Sequence, residues 1–485
     1  MHLSDCIAKL SPIRISGGEG ECEIRGITND SRKIRPGFLF CAIRGARSDG
    51  RKFVRAAEEA GAAAVVSDDP ELETALPHLL CTDAYRAWGL LCELQAGNPA
   101  RFLHLHAVTG TNGKTTTATL LRAFLQSGGG FRTGLISTIE YDCGDHSPIV
   151  ESARTTPDAE SFQRILSAMH AAGCRHAVLE ASSHGLHQHR MGSARFQTAI
   201  FTNLTGDHLD YHHDMESYYQ AKKLLFTESL AEEGNAIINI DDPWGERLAS
   251  ELHSEVRTLS MTKPASIRIE LQEATASGTR FLLDCRGERM EIHSPLIGRY
   301  NVYNLSSAIA GALFAGVPKE KIPEILKDGI RIPGRLEKME LPSGGTAFVD
   351  YAHTDDALER VLSALRPLCR GELIVVFGCG GDRDRTKRPR MAAVCGRIAD
   401  RSILTSDNPR TEPPEAIIDE AKQGFPPGTR FETIPDRREA VRRAVALTGP
   451  GDILLVAGKG HETTQEIQGV KYHMDDRELI REACS

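Results

Sequence analysis

The residues Val108 to Thr117 read V-T-G-T-N-G-K-T-T-T, and their types and spacing suit phosphate binding. Gly110 and Gly113 allow a sharp turn with backbone N–H groups facing inward. Lys114 adds a cation, and Thr115 offers a hydroxyl to Mg2+. A helix beginning near Thr116 and running to Gln126 directs its positive end at the same place. The general pattern G-x-x-x-x-G-K-[ST] requires a first glycine where Val108 stands. The segment is therefore either a chance Gly-Lys-Thr or a specialised phosphate loop, and its flanks favour the second: Phe102 to Thr109 alternates as a strand should before such a loop.

Further groups lie downstream. Glu180 closes the short apolar run Ala177 to Leu179, where a carboxylate can hold Mg2+, orient a water or cap a helix. Asn203 to His213 (N-L-T-G-D-H-L-D-Y-H-H) suits a two-metal hydrolase, a solvated loop or a second-cation site in a nucleotide enzyme. Lys222, among Tyr218, Leu225 and Phe226, reads from its neighbours alone as an exposed lysine that snorkels. The last third holds Asp350-Tyr351-Ala352-His353, the cation-dense Gly378 to Arg390, Asp407-Asn408-Pro409-Arg410 and Gly458 to Glu462. Gly378 to Arg390 has no interleaved aromatics, so an anionic small molecule fits it better than RNA.

These residues need strand ends to bring them together. The first hundred residues read as a small mixed unit: strand and turn over Gly26 to Gly45, a helix over Val54 to Ala64 and a strand over Ala64 to Ser67. Gly97-Asn98-Pro99 breaks that pattern, and Ile332-Pro333-Gly334 makes a second break. Three α/β domains are expected, over 1–100, 101–332 and 333–485. In the second, the runs Ala177 to Glu180, Thr198 to Asn203 and Ala236 to Asn239 alternate with helices such as Ala159 to Ala172, which predicts a mostly parallel sheet. In the third, strands are expected at Ala347 to Asp350, Glu372 to Phe377, Arg401 to Thr405 and Asp452 to Val456, after a helix-rich stretch from Asn304 to Leu326. Sites in such sheets gather at the carboxyl ends of the strands, where Gly110, Glu180 and Asn203 fall.

Composition sets the class. A chain of 485 residues is too long for one ordinary core. Its 40% hydrophobic and 26% charged residues fit a globular enzyme, and a formal charge of −8 argues against nucleic acid as partner. Twelve cysteines without a C-x-x-C pair indicate neither a zinc site nor a secreted disulfide framework. No signal peptide or membrane-spanning run is visible, so a cytoplasmic monomer without membrane insertion is expected.

Taken in order, these motifs resemble the Mur ligase family, ATP-dependent amide-forming enzymes of peptidoglycan precursor synthesis, over essentially the whole chain. The family's loop reads G-T-N-G-K-[ST], which accounts for Val108. The resemblance implies a uridine-nucleotide-binding N-terminal domain, a central ATPase domain and a C-terminal domain with a dinucleotide-fold-like sheet. It implies that Gly110, Thr111, Asn112, Gly113, Lys114, Thr115, Thr116, Asn301, Arg335 and Asp350 bind ATP. Ser31 would touch the UDP end of a UDP-muramoyl dipeptide, and Thr155, Thr156, Ser182, Gln188 and Arg190 would line its channel. Thr115, Glu180, His208 and Lys222 would hold Mg2+, with Lys222 carbamylated to N6-carboxylysine, which overrides the exposed reading on family grounds. Lys114, Glu180, His208 and Lys222 form the implied catalytic set.

The D-N-P-R pattern, Asp407, Asn408, Pro409 and Arg410, is associated in the family with meso-diaminopimelate. Arg383, Asn408 and Arg410 would grip carboxylates, and Gly458 and Glu462 would receive the distal ammonium. An extra carboxylate suits a guanidinium fork, and lysine in its place would leave a buried arginine unpaired at a cost of a few kcal/mol. Two positions depart from the family wording: Tyr300 stands in place of phenylalanine, and Asp355 in place of a proline, which predicts a loosened turn. A lysine-adding ligase, a folylpolyglutamate-type synthetase and a non-enzymatic nucleotide-gated binding protein are the alternatives.

Overall fold

The computed structural model describes residues 1–17, 22–45, 48–144, 148–151, 154–253, 255–275, 277–327 and 329–484. They divide into two compact units, one of residues 1–109, 130–199 and 221–236, the other of 110–129, 200–220 and 237–485.

In the first unit a sheet runs in the order Arg14–Ser16, His78–Leu80, Ala64–Ser67, Phe38–Cys41, Gly26–Thr28, parallel except at its first pair. Leu39, Val66 and Leu79 pack there with Trp88 and Leu91 of the helix Ala84–Gln95. The helix expected to reach Ala64 stops at Glu59, because Gly61 turns with φ +83°. A second set of strands, Thr133–Ile136, His176–Glu180 and His104–Thr109, is parallel, with His176 opposite both Thr133 and His104. His176–Glu180 is buried along its whole length, as befits a strand covered on both faces. This register puts Glu180 and the turn after Ile136 at one edge.

In the second unit the helix Lys114–Ala123 packs on Arg299–Phe314, with Leu121 against the position of Gly311. An antiparallel meander follows, Ile267–Thr275, Gly278–Cys285 and Glu288–Ser294, whose alternating burial is plain in Gly278–Cys285. The last sheet runs Glu337–Glu340, Thr346–Asp350, Ile453–Ala457, Leu373–Cys379, Arg401–Ser406, Phe431–Thr433. All its pairs are parallel but the first. The strand Ile453–Ala457 lies between Thr346–Asp350 and Leu373–Cys379, which reverses the strand order and opens a crevice at their carboxyl ends. Into that crevice lead the loops after Asp350, Cys379, Ser406 and Ala457. Among the described residues no helix is long and apolar enough to cross a membrane.

Candidate active site

The phosphate loop is built as its residue types require. Gly110 has φ +145° and Gly113 φ +89°; a Cβ on Gly110 would lie 1.9 Å from Thr202 Oγ1, and one on Gly113 2.3 Å from Asn304 Oδ1. Only glycine fits either place. The loop is tied to the residues after Phe201: the amides of Thr111 and Asn112 donate to Asn203 O (2.9 Å) and Asn203 Oδ1 (3.0 Å), and Thr202 Oγ1 donates to Asn112 O at 2.7 Å. The helix begins at Lys114, two residues before the expected start, with Gly113 as its cap. Lys114 Nζ folds back onto Gly110 O (2.9 Å) and Thr111 O (2.8 Å). Arg335 Nη2 donates to Thr115 Oγ1 at 2.9 Å, so one predicted ATP residue from the far end of the sequence stands on the loop itself.

Beside the loop is a cleft of about 400 Å³, lined by Asn112, Gly113, Asn203, Tyr303, Asn304 and Arg360 among others. Its wall is organised by two aspartates. Asp242 caps the helix Pro243–Glu251 through the amides of Trp244 and Gly245. Asp241 is pushed up by burial, but hydrogen bonds from Ser260, Thr262, Tyr303 and the Met261 amide outweigh this and hold its carboxyl at about 2. Asp356 takes Asn112 Nδ2 at 2.6 Å, Thr205 Oγ1 at 3.1 Å and Arg360 Nε at 2.9 Å, joining loop and cleft.

Two predicted ATP residues act behind this surface. Asn301 donates to Ile297 O at 2.8 Å and accepts from Asn304 Nδ2 at 3.1 Å; it is Asn304 that meets the loop. Asp350 accepts from the amides of Leu336 (2.7 Å) and Ala352 (2.8 Å), holding the segment that carries Arg335, and burial pushes its carboxyl up. Asp207 is pushed up by burial but held low by His208, His353 and Lys387. Its Oδ2 lies 3.4 Å from His208 Nε2.

The expected loosening at Asp355 is not found. Asp355 is the first residue of the helix Asp355–Leu365, where both proline and an acid are favourable, and Thr354 Oγ1 caps the Ala357 amide at 3.2 Å. Asp355 also pairs with Arg390 at 3.2 Å.

In the first unit the residues expected to line the dipeptide channel form a connected group. Thr156 Oγ1 donates to Glu180 O (2.7 Å) and accepts from the Ser182 amide (2.9 Å). Arg190 Nη1 reaches Thr156 O (2.6 Å), and Gln188 Oε1 takes Arg190 Nε (3.1 Å). Thr138, which sequence reasoning missed, donates to both oxygens of Glu180, at 2.8 Å from its amide and 3.0 Å from its hydroxyl, and its hydroxyl meets Thr155. Its signal was its place just after the strand Thr133–Ile136. Ser31 lies apart, in the turn Ser31–Lys33 capped by Asp30.

Lys222 is 1% exposed, which overturns the snorkelling reading. Thr115 and His208 belong to one unit, Glu180 and Lys222 to the other. Among the described residues no group of three or more His, Cys, Asp and Glu is poised as a metal cage.

The crevice of the last sheet holds the remaining predicted residues. Gly381 donates to Asn408 O at 2.9 Å, and a Cβ there would strike Pro409 O at 1.9 Å, so the two loops interlock through a glycine. Arg410, at φ +52°, donates Nη1 to Gly381 O at 2.7 Å and lies 3.6 Å from Glu466. Asn408 Nδ2 donates to Glu462 Oε2 at 2.9 Å. Arg383 is exposed and, among the described residues, forms no ion pair, whereas the other arginines of its loop are taken. Arg385 and Arg388 pair with Glu412 and Glu420, and Arg390 with Asp355. The cation density of that loop is thus mostly internal pairing rather than anion capture. Lys459, also missed, lies wholly buried beside Glu462.

Comparison with known proteins bears on this arrangement. Family models match the chain in sequence order: "Mur ligase family, catalytic domain" at residues 23–87, "Mur ligase middle domain" at 108–312 and "Mur ligase, glutamate ligase domain" at 334–460. A UDP-N-acetylmuramoyl-L-alanyl-D-glutamate--2,6-diaminopimelate ligase from Geobacter metallireducens is 40% identical, covering 100% of this chain and 98% of that protein. The chain belongs to the Mur ligase family. Another Mur ligase, the like-named protein of Gloeobacter violaceus, is 43% identical over 96% of this chain and 94% of its own. A solved structure of a UDP-N-acetylmuramoyl-L-alanyl-D-glutamate--2,6-diaminopimelate ligase superposes with a TM-score of 0.66 at 37% identity, covering 95% of this chain and 94% of that one. The MurF ligase of Thermotoga maritima, solved with ADP, shares the fold at 18% identity and a TM-score of 0.58. The three-part α/β architecture expected from sequence is that of Mur ligases.

Proposed function

We propose that this chain is the ATP-dependent ligase that adds meso-diaminopimelate to the D-glutamate of UDP-N-acetylmuramoyl-L-alanyl-D-glutamate, in the cytoplasm. The observation that carries the amino-acid choice is Arg410: Gly381 O takes its Nη1 at 2.7 Å and Glu466 lies 3.6 Å from its Nε, while Nη2 has no partner among the described residues and can donate to a carboxylate. The relatives of about 40% identity bear the name of this reaction.

The glutamate carboxylate oxygen attacks the γ-phosphorus of ATP; the bond to the bridging oxygen breaks and ADP leaves, giving an acyl phosphate. The diaminopimelate amine then attacks the acyl carbon, loses a proton and expels inorganic phosphate, leaving the amide. The amides of Gly113 to Thr116 donate to phosphate oxygens while Asn203 keeps those of Thr111 and Asn112, and Lys114 leaves the carbonyls of Gly110 and Thr111 to meet the γ-phosphate. Arg335 comes to the same phosphates from Thr115. The nucleoside enters the cleft beside Asn304, which Asn301 orients. Thr155, Thr156, Ser182, Gln188 and Arg190 take the dipeptide end, and Ser31 the uridine end.

Mg2+ keeps water and phosphate oxygens and needs few protein ligands, so hydroxyl, carboxylate and imidazole groups beside a phosphate loop suit it by type. Thr115, Glu180, His208 and carbamylated Lys222 would hold it, and it supplies charge neutralisation at the transferred phosphoryl group. Burial of Lys222 supports the carbamate, since a buried ammonium is costly and a carboxylated amine becomes a metal ligand. The domain limits 1–100, 101–332 and 333–485 belong to the same proposal.

The test is phosphate release from ATP with purified chain, UDP-dipeptide and a panel of diaminopimelate, lysine and glutamate. Release that needs both the dipeptide and diaminopimelate is the expected result. Release with lysine or glutamate alone as acceptor, or without any acceptor, overturns the reading.

A further inference from the structure

The loop Gly458 to Glu462 carries an ammonium that the reaction above does not use. Gly458 at φ +112° and Gly460 at φ +55° turn the chain around Lys459, and a Cβ on Gly460 would meet Tyr351 Cβ at 2.7 Å. The lysine side chain is fully buried. Its Nζ donates to Glu462 Oε2 at 3.0 Å and Asn408 Oδ1 at 3.3 Å. At 3.8 Å lies Asp407 Oδ1, a buried oxygen with no hydrogen-bond partner among the described residues.

Glu462 is therefore divided. Its Oε2 takes both Lys459 and Asn408, while Oε1 has only Tyr351 OH, at 3.4 Å, among the described residues. An internal ammonium already occupies half of the carboxylate expected to receive a substrate ammonium. In the neighbouring loops Arg410 and Arg383 both border Gly380, where an added Cβ would lie 3.1 Å from Arg410 Nη1 and 3.7 Å from Arg383 Cγ, and Glu466 lies 3.6 Å from Arg410.

We propose that Lys459 sets the charge selectivity of the amino-acid site: its buried ammonium, next to Glu462, excludes a distal end that brings an ammonium alone and admits one that brings a carboxylate with it. This deepens the proposed function and rests on it. A lysine substrate would put a second unaccompanied cation beside Lys459 and Arg410. Diaminopimelate brings its own anion to the arginines, and the added charges cancel. The discrimination then has two parts, an attractive one in Arg410 and a repulsive one in Lys459.

The experiment compares kcat/KM for diaminopimelate and for lysine in the wild type, Lys459→Met and Glu466→Gln, with thermal melting and the KM for ATP measured alongside. Lys459→Met removes a cation and should lower the diaminopimelate-to-lysine ratio about tenfold. Glu466→Gln removes a half-exposed anion and should raise the ratio, with the KM for ATP unchanged in both. Shifts of opposite sign support the proposal; ratios unchanged in both folded variants, or moved in the same direction, overturn it. If Lys459→Met does not fold, Lys459→Gln, which keeps a hydrogen-bond donor without the charge, takes its place, and an unchanged ratio there overturns the proposal. A wild type that does not use diaminopimelate defeats the underlying functional reading instead, whatever the variants do.

Discussion

Replacing Gly110 by alanine tests the phosphate loop at its tightest point. The new Cβ would stand 1.9 Å from Thr202 Oγ1 and 3.0 Å from Asn203 O, at a φ of +145°. Holding a non-glycine residue there costs about 1–3 kcal/mol. Thr202 can escape the clash only by rotating its hydroxyl away from Asn112 O, where it now donates at 2.7 Å, at a further cost of about 0.5–1.5 kcal/mol. Together these come to about 1.5–4.5 kcal/mol, and because the distortion falls on the loop that would cradle phosphate, it should weaken ATP binding roughly tenfold or more. Gly130→Ala is the control: its φ is +66° but nothing lies within 4 Å of the added carbon. It should cost about 1–2 kcal/mol of stability and leave nucleotide affinity unchanged. Calorimetric titration with a non-hydrolysable ATP analogue, beside thermal melting, separates the two. If Gly110→Ala binds nucleotide as tightly as Gly130→Ala, the loop does not cradle phosphate in this way.

Other consequences follow from the same geometry. Arg410→Ala removes a charge-assisted pair with a substrate carboxylate, about 1.5–3 kcal/mol, so the KM for diaminopimelate should rise about tenfold to a hundredfold while that for ATP stays put; a parallel rise in both refutes the specificity role. Lys222→Ala should lose Mg2+ affinity and activity, and intact-protein mass spectrometry at high bicarbonate should show an added carboxylate on the wild type alone; a fully active variant counts against the carbamate. His106 is buried against His176, its Nε2 3.0 Å from His176 Nδ1, and burial followed by its neighbours His176 and His104 pushes its pKa down to about 3. The neutral form is the folded one, so stability is complete above about 6.5 and falls as pH drops toward 3, by up to about 1.4 kcal/mol per unit. His106→Leu should flatten the melting temperature across that window, and an unchanged pH profile would remove His106 from the account.

Much of this was legible because local chemistry and local structure coincide at strand ends. Gly110, Gly113 and Lys114 announce their loop by type, and Glu180 and Asp407 stand where apolar runs stop. What escaped the sequence depends on packing between distant segments. Asn304 rather than Asn301 meets the loop because a helix face, and not a motif, decides which amide points outward. Thr138 and Lys459 join the expected site residues only through the carboxylates folded against them, Glu180 and Glu462. Lys222 looked exposed because its neighbours could not reveal what covers it. The arginines of the Gly378 to Arg390 segment looked free because Glu412 and Glu420 lie more than twenty residues away in the chain.

In the proposed reaction a carboxylate is activated by ATP and captured by diaminopimelate. The most direct test uses UDP-dipeptide labelled with oxygen-18 in the D-glutamate carboxylate, with the phosphate and the nucleotide-peptide product both read by mass spectrometry. One labelled oxygen in each phosphate released, and a product heavier by diaminopimelate less one labelled water, are the expected result. Unlabelled phosphate, or phosphate without that product, would contradict it.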